Sequence, residues 1–249
     1  MFNCPNKSIC FLFVSFTGAP ARSSFAADIV FIVDSTSVVT PFQFTRAKRF
    51  VRIISEYLNI SPGKSRGAMV TFGETPLIDF SFDSYKSTSE FHEKVSSTPY
   101  MGGKASISSS LRVAGTLFSA ARGSYPWIVI FVTPWRPDNI GDSASLENAA
   151  RPLLNRGVWL YVLSIHENPY VGWLRPMVVD PSDAFSVVSY RDLPASIGPL
   201  ASHITNDNCK YINGGNANYA LFIVVDLVLW LFYRHLNSSI HSILDLSIL

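Results

Sequence analysis

Cysteine and charge are both scarce in this chain. Of 249 residues, 3 are cysteine and 15% are Asp, Glu, Lys or Arg, with a formal charge of +2 at neutral pH. So mild a charge, with no Lys/Arg block interleaved with aromatics, argues against nucleic acid as a partner. Few cysteines rule out a disulfide-stapled mini-domain. Internal repeats and low-complexity tracts are also lacking. So are the short signatures of common enzymes. No GxSxG elbow presents a nucleophilic serine. His92-Glu93 opens an HExx sequence, but Ser96 stands where a second zinc-binding histidine is needed. Gly63-Lys64-Ser65 has Leu58 in place of the upstream glycine of a phosphate loop, and Gly102-Gly103-Lys104 is followed by Ala105. His166-Glu167 is an isolated pair beyond a strand. The expectation is a protein that is not an enzyme.

What is present is apolar. Hydrophobic residues make up 48% of the chain, enough for one substantial core plus appendages. The stretch from Asp28 to Phe44 organises the rest. The apolar run Ile29 to Val33 leads into Asp34 and the hydroxyls Ser35, Thr36 and Ser37, and then Thr40-Pro41 opens a helix. An unbroken apolar strand is the mark of burial on both faces, as in a parallel sheet covered by helices. Thr40 suits the N-cap, Pro41 the first helical position, and Gln43 completes a capping box. Residues just past the carboxyl end of such a strand line the ligand crevice of an open sheet, which makes Asp34 and Thr36 the place to look for chemistry.

Further along, apolar strands are expected at Ala68 to Phe72, Trp127 to Val132, Val158 to Ile165 and Phe185 to Val188. The alternating Leu77 to Phe82, carrying Asp79, reads as an antiparallel edge strand. Helical spacing marks Ala47 to Leu58, a short segment from Ser89 to Ser96, Ile107 to Ala121, Leu146 to Leu154 with a kink at Pro152, and Leu193 to Thr205. Strands and helices alternate, so the fold class is α/β: a three-layer, doubly wound, mostly parallel sheet with one antiparallel edge strand and helices on both faces.

The ends read differently. Lys7, the apolar run Ile9 to Phe16 and the small residues Gly18 to Ala21 have the parts of a signal peptide over residues 1–21, and thus of an exported protein. Export leaves Cys209 as the one cysteine of the mature chain, either unpaired or bridging to another chain. Residues 22–27 and 210–218 read as linkers around a domain over 28–209. The apolar tail 219–249, with Asp226 inside its run, reads either as a membrane anchor or as a tail that packs. Asn59-Ile60-Ser61 and Asn237-Ser238-Ser239 have the form of glycosylation acceptors.

From Asp28 to Cys209 the chain resembles a von Willebrand factor type A domain, a module of adhesion and matrix proteins. The strand DIVFIVDS, the helix with Pro41, Phe44 and Phe50, the segment YMGGKASISSSL, the strands WIVIFVT and RGVWLYVLSI, and the ending SVVSYRDLPASIGPLASHITNDNC carry the likeness. The resemblance implies a metal-ion-dependent adhesion site for Mg²⁺ or Mn²⁺, built from DxSxS, a threonine in a later loop and an Asp after a later strand. Hard cations want oxygen ligands, and Mg²⁺ wants six. Here Asp34 and Thr36 hold the first two positions, Val38 replaces the second serine, Ala105 the threonine, and Pro134-Trp135 the Asp-Gly. Ser106 and Asp138 lie beside two of the missing ligands. The site is therefore degenerate, with Asp34, Thr36 and Ser106 as its candidate ligands. Tyr100, Met101, Trp135 and Arg136 gather at the same crevice mouth and are residue types that anchor protein interfaces.

The expected function is an extracellular protein-binding module, secreted or tethered, that grips a matrix or cell-surface protein without a cation. Two alternatives stand beside it: a structural matrix subunit cross-linked through Cys209, and a metal-dependent adhesion receptor ectodomain.

Overall fold

The computed structural model describes residues 25–104, 107–134, 143–167, 174 and 177–213, with backbone alone at 143–145 and 207–213. Six strands form one sheet: β1 (Asp28–Asp34), β2 (Arg66–Phe72), β3 (Pro76–Phe80), β4 (Trp127–Thr133), β5 (Trp159–Ile165) and β6 (Ala184–Val187). Their order is β3-β2-β1-β4-β5-β6. All neighbours run parallel except β2 and β3, which form the antiparallel hairpin at one edge. Every residue of β1 is buried, because its two neighbours cover its edges and helices cover its faces.

Five helices complete the layers: α1 (Pro41–Tyr57), α2 (Thr88–Ser97), α3 (Ile107–Leu117), α4 (Ser143–Leu154) and α5 (Leu193–Asn213). The alternation of β1 divides the core. Val30 and Ile32 pack with Leu111, Ala114, Leu146 and Leu153 from α3 and α4. Phe31, on the opposite face, meets Phe91 of α2 with ring centroids 6.3 Å apart, and α2 packs beside α1. Helices on both faces of a mostly parallel sheet are the three layers that the sequence pattern demands.

The start of α1 is as expected. The Thr40 side chain accepts from Gln43 N at 3.2 Å, and Gln43 Oε1 accepts from Thr40 N at 2.8 Å. Other boundaries shift. The helix expected to reach Ala121 stops at Leu117 and tightens into a 3₁₀ turn over Phe118–Ala120. Phe25 and Ala27 are buried although 22–27 reads as a linker, since Ala27 O accepts from Arg66 N at 2.8 Å and so extends the pairing of β1. α5 runs eight residues past Thr205, through 213, into the stretch read as the second linker.

The chain divides into two compact units after Ser202, and of the second unit only 203–213 is described. The signal-peptide stretch 1–21, the tail 219–249 and the Asn237 acceptor all lie outside the described residues. Among the described residues, no helix is long and apolar enough to cross a membrane.

Candidate functional site at the carboxyl end of the sheet

The chain leaves β1 toward β2 on one side, while β4 flanks β1 on the other. This reversal of winding opens a crevice at the carboxyl ends of β1 and β4. Asp34 closes β1 at that point and is 3% exposed. Its Oδ1 accepts from Thr36 N at 2.9 Å, an Asx turn that redirects the chain toward α1. Its Oδ2 accepts from Thr133 Oγ1, at the end of β4, at 2.8 Å. Burial pushes the carboxyl above its ordinary range, against the opposing pull of the Thr36 amide and the Thr133 hydroxyl. Thr36 Oγ1 itself is buried with no hydrogen-bond partner among the described residues.

The Ser35 and Ser37 hydroxyls beside Asp34 hold two loops together. Ser35 Oγ accepts from Met101 N at 2.8 Å and Ser37 Oγ from Gly103 N at 2.9 Å. In return, Gly102 N donates to Ser35 O at 2.7 Å and Ser37 N to Gly103 O at 2.8 Å. Gly102 and Gly103 have φ of 72° and 88°, a left-handed backbone that residues with a Cβ resist. The approach is tight: a Cβ on Gly73 would run into the Gly102 carbonyl oxygen.

The sequence-expected residues take different roles in this setting. Asp34 and Thr36 meet through the Thr36 amide. Tyr100, expected at a contact surface, also braces the turn: its single hydroxyl hydrogen is shared between Val39 O at 2.7 Å and Thr36 O at 3.2 Å, and its ring leans on Phe44. Met101 is 36% exposed and open to a partner. Ser106, Trp135, Arg136 and Asp138 lie outside the described residues, as does the Cys209 side chain, whose backbone sits within α5.

Sequence reasoning missed Thr133 as the partner of Asp34, and Ser35 and Ser37 as clamps. It also missed the apolar rim: Val38 is 57% exposed and Phe42 66%, with the Arg46 guanidinium 4.7 Å from the Phe42 ring centre. The signal for the clamps was the alternation itself, since Asp34 and Thr36 turn inward and the residues between and after them turn to the facing loop.

As a cage for a hard cation, the described residues are short of donors. They offer one carboxylate, already engaged on both oxygens, and the unpartnered Thr36 hydroxyl. Octahedral Mg²⁺ binding at 2.0–2.1 Å usually adds a second carboxylate or a phosphate. Among the described residues no group of three His, Cys, Asp or Glu converges anywhere. A Ser–His pair also exists: Ser55 Oγ and His92 Nε2 are 3.0 Å apart between α1 and α2. It has no access to substrate, because Ser55 is fully buried and donates to Arg52 O at 2.6 Å. Burial, with Arg52 nearby, also lowers the pKa of His92.

A doubly wound sheet with its polar crevice at the switch point, and a turn of Asp and hydroxyls tied to the facing loop, define the class as a three-layer, doubly wound α/β domain. The von Willebrand factor type A domain model matches residues 28–198, and the chain belongs to that family. It is 26% identical over 189 residues to mouse von Willebrand factor A domain-containing protein 2, covering 75% of this chain and 23% of that protein. It is 30% identical over 201 residues to human matrilin-3, covering 77% and 39%. The chain thus spans well under half the length of these relatives. Among solved structures, proximal thread matrix protein 1 from the mussel byssus superposes with a TM-score of 0.65 at 21% identity, over 73% of this chain and 47% of that one. Manganese-loaded TRAP protein of Plasmodium vivax superposes at 0.57 and 19%, over 72% and 74%.

Proposed function

We propose that this domain is an extracellular protein-binding module that holds a matrix or cell-surface partner by direct contact, without a bridging cation. The observation that carries the reading is Val38. It stands where the family pattern puts a hydroxyl ligand, and it is exposed to solvent, as Phe42 and Met101 are, whereas Asp34 is buried. An apolar rim around a carboxylate already satisfied by Thr36 and Thr133 suits a dry contact better than a hydrated ion. Trp135 and Arg136, outside the described residues, are proposed as further contacts with the partner. The extracellular setting is supported by the kinship with matrilin-3 and by a structural neighbour named as a matrix protein.

One observation favours the metal-dependent alternative, namely the unpartnered Thr36 hydroxyl. Titration with Mg²⁺ and Mn²⁺ while following thermal unfolding separates the two. An ion present at a hundred times its Kd adds about 2.7 kcal/mol to stability. No shift in midpoint is expected. A Mn²⁺-dependent rise that disappears in Asp34→Ala overturns the proposal. The third reading, a subunit cross-linked through Cys209, requires a dimer on non-reducing electrophoresis that collapses on reduction.

A further inference from the structure

Away from the crevice, α3 and α4 enclose a groove of about 470 Å³. Its floor is apolar, made by the buried Leu111, Ala149 and Leu153. Two features of the groove run against helix formation. Gly115 lies in the interior of α3, where glycine is disfavoured by about 1 kcal/mol relative to alanine. A Cβ there would meet only the tip of Leu153, Cδ2, at 3.3 Å, the movable end of a side chain. Pro152 lies inside α4 and cannot donate to the carbonyl of Asn148 one turn back. Both residues line the groove.

The charge of the groove has one sign. Arg112 and Arg156 line it, and among the described residues no carboxylate does. Glu147, the nearest acid along α4, is paired with Arg151. Arg156 is held in place: its Nη1 donates to Gly115 O at 3.0 Å across the two helices, and its guanidinium lies 5.3 Å from the Trp127 ring centre. That leaves its other donors pre-arranged, which is how arginine engages carboxylates at least entropic cost. Arg112 is exposed and makes no ion pair among the described residues.

We infer that the α3–α4 groove is a second docking site, for an acidic segment of a partner protein. An apolar side chain of that segment fills the floor over Leu111 and Leu153, and carboxylates on either side meet Arg112 and Arg156. A protein segment fits better than a sulfated glycan, because the floor is apolar and the cations are two rather than a dense cluster.

The full chain is titrated with a fluorescein-labelled peptide of alternating Glu and Leu, followed by anisotropy. Saturable binding is expected, weakened about tenfold or more by Arg112→Glu and by replacing Glu with Gln in the peptide, the loss of one charge-assisted contact. Gly115→Ala, which favours the helix, narrows the groove and should also weaken binding, with circular dichroism confirming that both variants are folded. Failure of the acidic peptide to bind, equal binding of the Gln peptide, or unchanged affinity in Arg112→Glu overturns the inference. So does a heparin fragment that binds where the peptide does not. None of these outcomes involves the crevice at Asp34.

Discussion

Asp28 and Asp34 close the two ends of one strand, both buried, and their surroundings drive them in opposite directions. Burial alone would raise the pKa of Asp28, but hydrogen bonds from Arg66 and then Arg122 outweigh it and hold the carboxyl below its ordinary value. Its oxygens accept from Arg66 Nε and Nη2 at 3.0 and 2.7 Å, and from Arg122 N, Nε and Nη2 at 2.6, 2.9 and 2.7 Å. Removing the acid leaves two guanidinium groups, only 19% and 25% exposed, with one counter-charge between them, the largely exposed Asp83 on Arg66. Asp28→Asn should therefore cost about 3 kcal/mol, lowering the thermal midpoint by roughly 6–12 °C. Calorimetry checks this, and a midpoint within a degree of the native one refutes it. Asp34 has no such cation, and its role at the crevice follows from that difference.

At the scale of elements, the site is a pair of loops rather than a set of side chains. The β1–α1 turn and the segment 100–103 are laced by backbone and hydroxyl bonds, and the β2–β3 turn supports them from beneath at Gly73. Gly73→Ala puts a methyl group into the Gly102 carbonyl, and the neighbouring backbone must give way. The expected result is faster amide hydrogen exchange at Met101, Gly102 and Gly103, with α1 protected as before because its capping box is independent of that loop. Unchanged exchange at these amides contradicts the account. The same substitution should weaken whatever partner the rim engages, since Met101 moves with its loop.

For the whole molecule, the buried carboxylates set how stability varies with pH. Asp79, on the edge strand β3, accepts from Thr71 Oγ1 at 3.3 Å, and its other oxygen is buried without a partner among the described residues. Burial raises its pKa from 3.8 to about 7, and the field of Lys48 recovers only part of that. A carboxyl with a raised folded pKa stabilises the fold while protonated, and that contribution is lost as pH rises from 3.8 through about 7. Asp28, with its depressed pKa, acts in the other sense: its contribution is present above 3.8 and lost as pH falls through the lower folded value. Stability should therefore peak on the acid side of neutrality. Asp79→Asn should flatten the decline on the alkaline side while leaving the acid limb in place, as thermal midpoints measured across pH will show. A native profile that is flat from pH 5 to 8 is the contrary result.

Local pattern was enough for the architecture. Ile29 to Val33 could be nothing but a strand covered on both faces. Thr40, Pro41 and Gln43 mark the start of α1 because a capping box is a contact within four residues. The hairpin edge at β3 was legible from its alternation, and Asp34 from its place after an apolar run. What depended on distant chain was not legible. The bond from Thr133 to Asp34 spans 99 positions and the clamp of Arg122 on Asp28 spans 94, distances over which no periodicity carries information. Only folding decided that Tyr100 would brace the crevice while Val38 and Phe42 face out. The sequence by itself determined which segments are strands or helices and which faces are apolar, since those are properties of spacing along the backbone. The tertiary structure decided which oxygens are spoken for, because a hydroxyl's partner is chosen by the strand or loop that packing brings beside it.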